Sequence, residues 1–224
     1  MSQDAVYAYY PVFRRTPVVG LHPAGFAEEQ TDEVAALFEK FSDRVTVRGV
    51  YSATGFRPDA DVLFWWLAPS ADDVQELLTE FRRTPLGRGL ELTHAFLGVT
   101  RPAEFNPDHL PSFLKGEAPR RYLSVYPFVR TEEWYLMDPA ERGKLLRDHG
   151  QMGREFPEVF PNTTSAFGLG DWEWILAFES DDLTKIVDCI RRLREAEARR
   201  YTKLDIPFVL GIRTELADAL AALV

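Results

Sequence analysis

The chain contains the same order of sequence landmarks twice, and this internal repeat constrains its fold more than any other feature. Each half opens with tyrosine, proline, two apolar residues and arginine, and continues through a tryptophan-rich run to an apolar segment that ends in arginine. Such self-similarity is the signature of a duplicated structural unit. The paired segments are YPVFR at 10–14 and YPFVR at 126–130, DVLFWWLA at 61–68 and DWEWILA at 171–177, and FLGVTR at 96–101 and FVLGIR at 208–213.

Hydrophobic periodicity predicts the order β-α-β-β-α-β for each copy. This is the ferredoxin-like order, an antiparallel sheet with both helices on one face. We therefore predict an α+β protein made of two tandem ferredoxin-like β-α-β-β-α-β units, whose sheets can close against each other. In the first half we expect strands at 6–15, 44–52, 61–68 and 92–100, and helices near 27–42 and 71–83.

The repeat also sets the expected domain boundaries. The N-terminal unit should occupy 1–101 and the C-terminal unit 122–224. The segment between them, 102–121, contains several prolines and has neither helical nor strand periodicity. Long irregular connections are often functional, so we expect a linker that serves as a lid.

Charge and cysteine content limit the class of function. The formal net charge of -9 argues against a nucleic acid or an anionic membrane surface as the main partner. Cys189 is the only cysteine, which excludes a disulfide framework and a cysteine metal cluster. No stretch approaches the ~18–20 apolar residues of a membrane span, and no signal peptide precedes the first strand. We expect a cytoplasmic, soluble protein.

Tyr126 lies where the first strand of the second unit meets a proline. Pro127 cannot donate a hydrogen bond to a sheet ladder, so pairing is interrupted beside Tyr126 and its phenol could face a cavity. The alternative is an aromatic side chain that simply packs at a strand end.

His149 lies on the apolar face of a helix that Asp138 and Pro139 predict to begin at 138–139. Leu145 and Met152 share its stripe at helical spacing. An imidazole in this position is either a core residue hydrogen-bonded to a carbonyl or a metal ligand, and the sequence pattern leaves both open.

Several ordered motifs resemble those of the chlorite dismutase-like superfamily and, within it, the coproheme decarboxylases. The resemblance covers nearly the whole chain. The motifs are YPFVR at 126–130, WY at 134–135, DHGQM at 148–152, GDWEW at 170–174, and ARRY at 198–201 leading to PFV at 207–209.

The resemblance implies a dimeric α+β barrel within one chain, usually assembled as a homopentamer. It implies that the ligand is iron coproporphyrin III, which is both substrate and redox cofactor and leaves as haem b after hydrogen peroxide drives the loss of two carboxyl groups. His149 would be the proximal iron ligand, and Tyr126 would form a radical that attacks a propionate. His109, in the linker, would be the distal base that moves the peroxide proton.

The four propionates of such a ligand require counter-charges. Arg130 lies four residues beyond Tyr126, on the same strand face, and relatives carry lysine there. Arg194, in a late basic cluster, is the second candidate. Trp174 alternates so that it could face the cavity, although a strand tryptophan can equally be core.

Two other functions remain open at this stage. The first is a haem-binding peroxidase or chlorite dismutase relative, and the second is a barrel that binds no porphyrin. Chlorite-splitting members carry a distal arginine after the histidine helix, but the chain has no arginine between Arg154 and Arg191. This departure disfavours chlorite chemistry.

Overall fold

The computed structural model describes residues 5–17, 26–102 and 110–223. The fold is mixed α+β, as predicted. The elements, in chain order, are β1 (Tyr7–Arg15), α1 (Phe26–Lys40), β2 (Thr46–Arg57), β3 (Ala60–Ala68), α2 (Ala71–Arg83), α3 (Pro85–Gly89), β4 (Leu90–Val99), a 3-10 turn (Ser112–Lys115), β5 (Tyr122–Arg130), α4 (Glu132–Leu136), α5 (Pro139–Gly153), β6 (Phe160–Ser165), β7 (Trp174–Ser180), α6 (Leu183–Leu193), a second 3-10 turn (Glu197–Tyr201), β8 (Thr202–Leu204), β9 (Val209–Thr214) and α7 (Leu216–Ala221). They fall into two compact units, Met1–Val99 with Val209–Val224, and Thr100–Phe208.

The sheet of the first unit has the strand order β4-β1-β3-β2-β9, and neighbouring strands are antiparallel. Alternate side chains of its strands form an aromatic core with the helices. Phe81 of α2 lies with its ring centroid 5.2 Å from Phe13 and 5.5 Å from Phe64. Burial of these rings against one sheet face is what holds the amphipathic helix in place.

The last strand belongs to a different unit from the one expected. The duplication hypothesis assigned residues 209–224 to the second unit. In the structure β9 pairs with β2, from Val50 opposite Thr214 to Ser52 opposite Ile212, and so lies in the first compact unit. A strand pattern predicts the element but not the partner that satisfies its backbone hydrogen bonds.

The second unit has the strand order β6-β7-β5-β8, again antiparallel. The helix α5 begins where the sequence predicts, and α6 also begins at a capped position. Asp138 caps α5 by accepting hydrogen bonds from the backbone of Ala140 at 2.9 Å and Glu141 at 3.3 Å, and Pro139 occupies the first turn. Asp182 caps α6 through the backbone N–H of Thr184. The Asp138 cap fixes where the helix carrying His149 begins.

No helix within the described ranges is both long and apolar enough to cross a bilayer.

Candidate functional site

The strands β5 and β7 place three of the predicted site residues on one face of the second unit's sheet. Tyr126 lies directly opposite Leu176, and Phe128 lies opposite Trp174. Residues opposite each other in an antiparallel pair share a face, as do alternate residues of one strand. Tyr126, Trp174 and Arg130 therefore line the same face. This face is the helix-covered one, because Leu176 also packs against the cluster that contains residues of α6.

Tyr126 is buried between two aromatic rings, with 6% of its surface exposed. The Phe208 ring is stacked on it with centroids 4.2 Å apart, and the Phe178 ring meets it edge-on at 5.9 Å. Burial raises the pKa of the Tyr126 phenol well above its usual value, and the nearby positive charge of Arg194 offsets only part of this rise. The phenol is therefore protonated at neutral pH and retains the hydrogen that its predicted chemistry requires.

His149 extends from α5 as a neutral imidazole. Burial lowers its pKa to about 4, and the positive charge of Arg130 acts in the same direction. Within the part of the chain that the structure describes, no hydrogen-bond partner is found for its ring. A core histidine would normally have such a partner. A neutral ring with a free nitrogen is instead the form that coordinates a metal.

Arg130 is a partly buried cation without a carboxylate partner. Its guanidinium lies 4.1 Å from the Trp134 ring and 4.7 Å from the Phe128 ring, and it donates one hydrogen bond of 2.8 Å to the Ala198 carbonyl. Burial lowers its pKa to about 10. In the described residues no carboxylate oxygen lies within 4.0 Å of its guanidinium nitrogens, and the charge of Glu173, which accepts its backbone N–H, offsets only part of the effect of burial. A desolvated charge in this state favours an added anion.

Arg194 has a protein partner that the sequence pattern did not reveal. It forms an ion pair with Asp205, and Arg199 donates to the same carboxylate at 2.7 Å. Asp205 lies in an irregular segment with no periodicity, so nothing in the sequence connects it to these arginines.

Trp174 lies on the same sheet face as Tyr126. Its ring meets that of Phe167 edge-on at 5.3 Å. The residue before it, Glu173, was not recognised from the sequence as a site residue. Its carboxylate accepts the backbone N–H of Arg130 at 2.7 Å and the hydroxyl of Tyr135 at 2.5 Å. This contact fixes the end of β5 from which Arg130 extends.

His109 lies outside the described residues, so the structure does not place it. The described part of the linker, 102 and 110–121, contains the 3-10 turn over Ser112–Lys115. There Phe113 donates its N–H to the Asn162 side chain at 3.0 Å, and Asn162 in turn donates to Glu179 at 3.2 Å.

The donor set indicates which kind of metal group these residues fit. No group of three or more His, Cys, Asp or Glu side chains in the described ranges could hold a bare ion. This donor set would be compatible with a metal that is held by His149 and takes its other ligands from a macrocycle. A single imidazole beside an arginine that favours an anion matches an iron porphyrin bearing carboxylates.

Comparison with known proteins defines the class. The chlorite dismutase family model matches residues 27–214, and the chain belongs to this family. The coproheme decarboxylase of Mycolicibacterium smegmatis is 42% identical over 211 residues, which cover 92% of this chain and 91% of that protein.

Two solved structures show the same fold. The chlorite dismutase of Candidatus Nitrospira defluvii in complex with imidazole is 25% identical with a TM-score of 0.88, and the match covers 97% of this chain and 94% of that one. A mutant of the same enzyme is 24% identical with a TM-score of 0.89, and covers 100% of this chain and 96% of its own.

Proposed function

We propose that this chain catalyses the hydrogen-peroxide-dependent decarboxylation of two propionates of iron coproporphyrin III, with haem b as the product. The relative named coproheme decarboxylase supports this function over almost the full length of both chains. The observation that supports the proposal is that, among the described residues, the neutral His149 ring has no hydrogen-bond partner and the partly buried Arg130 guanidinium forms no ion pair. Both features suit one ligand that offers a metal and a carboxylate.

The binding roles follow from the contacts of each side chain. His149 would hold the iron through the lone pair of its free ring nitrogen. Arg130 binds a propionate, because a carboxylate would give its guanidinium the direct ion pair that it does not form with the described residues. Arg194 is a weaker candidate for binding a propionate, because it already forms an ion pair with Asp205. Trp174 lines the pocket beside Phe167 as an apolar wall.

When bound, the iron porphyrin supplies the oxidising equivalents of peroxide. Tyr126 gives up one electron and its phenolic proton, and the radical then takes a hydrogen atom from the propionate β-carbon. Loss of CO2 and a second electron leaves a vinyl group. Each propionate thus loses CO2 and two hydrogens, and one peroxide is reduced to two waters. Burial of Tyr126 fits this role, because the phenol stays protonated and ordered.

Further proposals rest on the family resemblance. His109 acts as the distal base that moves the proton of peroxide. The two repeats form tandem ferredoxin-like units of a dimeric α+β barrel, with 102–121 as the linker. The protein is cytoplasmic and assembles as a homopentamer.

A haem peroxidase or chlorite-splitting activity is the second candidate, since a solved structure with the same fold at 25% identity is a chlorite dismutase. The strand β6, which follows the histidine helix, carries Asn162, Thr163 and Thr164 instead of an arginine. Asn162 is fully buried and engaged with Glu179, so it does not replace a distal cation. This arrangement favours decarboxylation.

A titration with ferric coproporphyrin III tests the proposal. Purified protein should shift the main absorption band of the porphyrin saturably, and added peroxide should lower the porphyrin mass in two decarboxylation steps. Binding without mass loss would indicate the peroxidase function. No saturable shift would support a barrel that binds no porphyrin.

Arg130→Met tests the carboxylate site within the same titration. We expect the affinity for coproporphyrin to fall roughly 10- to 100-fold, as for loss of a charge-assisted hydrogen bond of about 1.5–3 kcal/mol. Arg121→Met is the matched control, because this exposed arginine precedes the same strand. Equal affinities for the two variants would show that Arg130 does not bind a propionate. Protoporphyrin iron, with two fewer carboxylates, gives a second comparison.

A further inference from the structure

The orientation of the Tyr126 ring depends on two rings from other segments. Phe178 comes from β7, whereas Phe208 comes from the segment that leads into β9. The planes of Tyr126 and Phe208 are 27° apart with centroids 4.2 Å apart, and those of Tyr126 and Phe178 are 75° apart. Stacked and edge-on contacts of this kind are both favourable. The phenol is therefore held on one side by its own sheet and on the other by an irregular segment.

That irregular segment is tied down by a shared carboxylate. Asp205, three residues before Phe208, accepts hydrogen bonds from Arg194 at the end of α6 and from Arg199 in the second 3-10 turn. The Asp205 side chain is only 13% exposed, whereas the arginines are 36% and 38% exposed. A network with a largely buried member is worth more than an exposed pair. It fixes a segment that has no regular secondary structure between β8 and β9.

We propose that Phe208 is a positioning residue for Tyr126, and that Asp205 with Arg194 and Arg199 is the tether that keeps the Phe208 ring on the phenol. The inference rests on the proposed function, in which the Tyr126 oxygen must reach a propionate carbon. A reacting group that is misplaced by a small distance loses much of its rate. In this arrangement Arg194 and Arg199 of the late basic cluster bind a carboxylate of the protein itself.

Ring dynamics of Tyr126 in the porphyrin-free protein test the positioning without any reaction. With tyrosine rings labelled for NMR, we expect Phe208→Leu to raise the flip rate of the Tyr126 ring about tenfold, as loss of one aromatic contact predicts. Asp205→Asn should raise it in the same direction by a smaller factor. Phe208→Tyr, which keeps an aromatic ring, should preserve the slow rate.

The matched control is Phe160→Leu. Phe160 is a partly buried phenylalanine of the same unit, and its ring packs against the Arg120 guanidinium at 4.0 Å. This variant should leave the Tyr126 flip rate unchanged. An unchanged rate in Phe208→Leu, or equal increases in Phe208→Leu and Phe160→Leu, would overturn the inference.

Electron paramagnetic resonance separates this inference from the proposed function. In protein loaded with ferric coproporphyrin III and treated with peroxide, the splitting from the Tyr126 β-protons reports the ring angle, and Phe208→Leu should change it. If the Tyr126 ring flips equally fast in the wild type and in Phe208→Leu, Phe208 does not position the ring, although a radical can still form. If no tyrosyl radical forms in the wild type but Phe208 slows the ring, the radical role fails and positioning stands.

Discussion

The neutrality of His149 comes from its surroundings and not from its own helix. Burial is the larger cause of its lowered pKa, and the charge of Arg130, which lies on another element, is the smaller one. In the described residues no carboxylate is ion-paired with the Arg130 guanidinium or with the His149 ring. The protein keeps a nitrogen lone pair free near a cation at physiological pH.

This pKa predicts how stability depends on pH. The imidazole has a pKa of about 4 when folded and an ordinary value of 6.5 when unfolded. Between these values the unfolded chain binds more protons, so the free energy of unfolding should rise with pH across this window. From pH 5 to pH 7 the gain is about 2 kcal/mol.

Urea unfolding at the two pH values measures the effect. The gain should be missing in His149→Gln, whose side chain does not titrate. If the unfolding free energy of His149→Gln changes with pH as much as that of the wild type, His149 is not held neutral in the folded protein.

The positions and contacts of the site residues were only partly predictable from the sequence. Tyr126, Arg130 and Trp174 share a face because strand alternation is local, and the sequence shows it directly. The Glu173 contact with Tyr135 and the Asp205 contact with Arg194 were not predictable. Each joins segments that only the folded chain brings together.

At the scale of elements, α5 is the part that the sequence predicts best. Its cap, its proline and its apolar stripe are all local signals, and the helix runs over Pro139–Gly153. The strand β9 shows the opposite case, because its pattern identifies a strand while its pairing with β2 depends on tertiary structure.

The Asp138 cap should set the stability of the helix that carries His149. Asp138→Ala removes the acceptor for two backbone N–H groups and should lower the free energy of unfolding by about 1 kcal/mol. Asp138→Asn retains an acceptor and should lose much less. The comparison is made by urea unfolding, and equal losses in the two variants would assign the effect to charge and not to capping.

At the scale of the whole molecule, the chain combines a net charge of -9 with a site that favours an anion. Several large apolar side chains also remain exposed in the described part of the chain, among them Leu136 at 85%, Ile206 at 60% and Val187 at 53%. Single exposed apolar residues of this kind are common on folded proteins, so the assembly has to be measured.

Sedimentation equilibrium tests the proposed assembly. We expect a single species with five times the chain mass of 25.6 kDa. A monomer or a dimer at micromolar concentration would contradict the homopentamer.

The most direct test of the central claim is the reaction of Tyr126→Phe with ferric coproporphyrin III and peroxide, followed by the mass of the porphyrin. Tyr122→Phe, on the same face of β5, is the matched control. We predict that Tyr126→Phe binds the porphyrin as the wild type does and leaves its mass unchanged, while the control converts it fully. Complete decarboxylation by Tyr126→Phe would contradict the account.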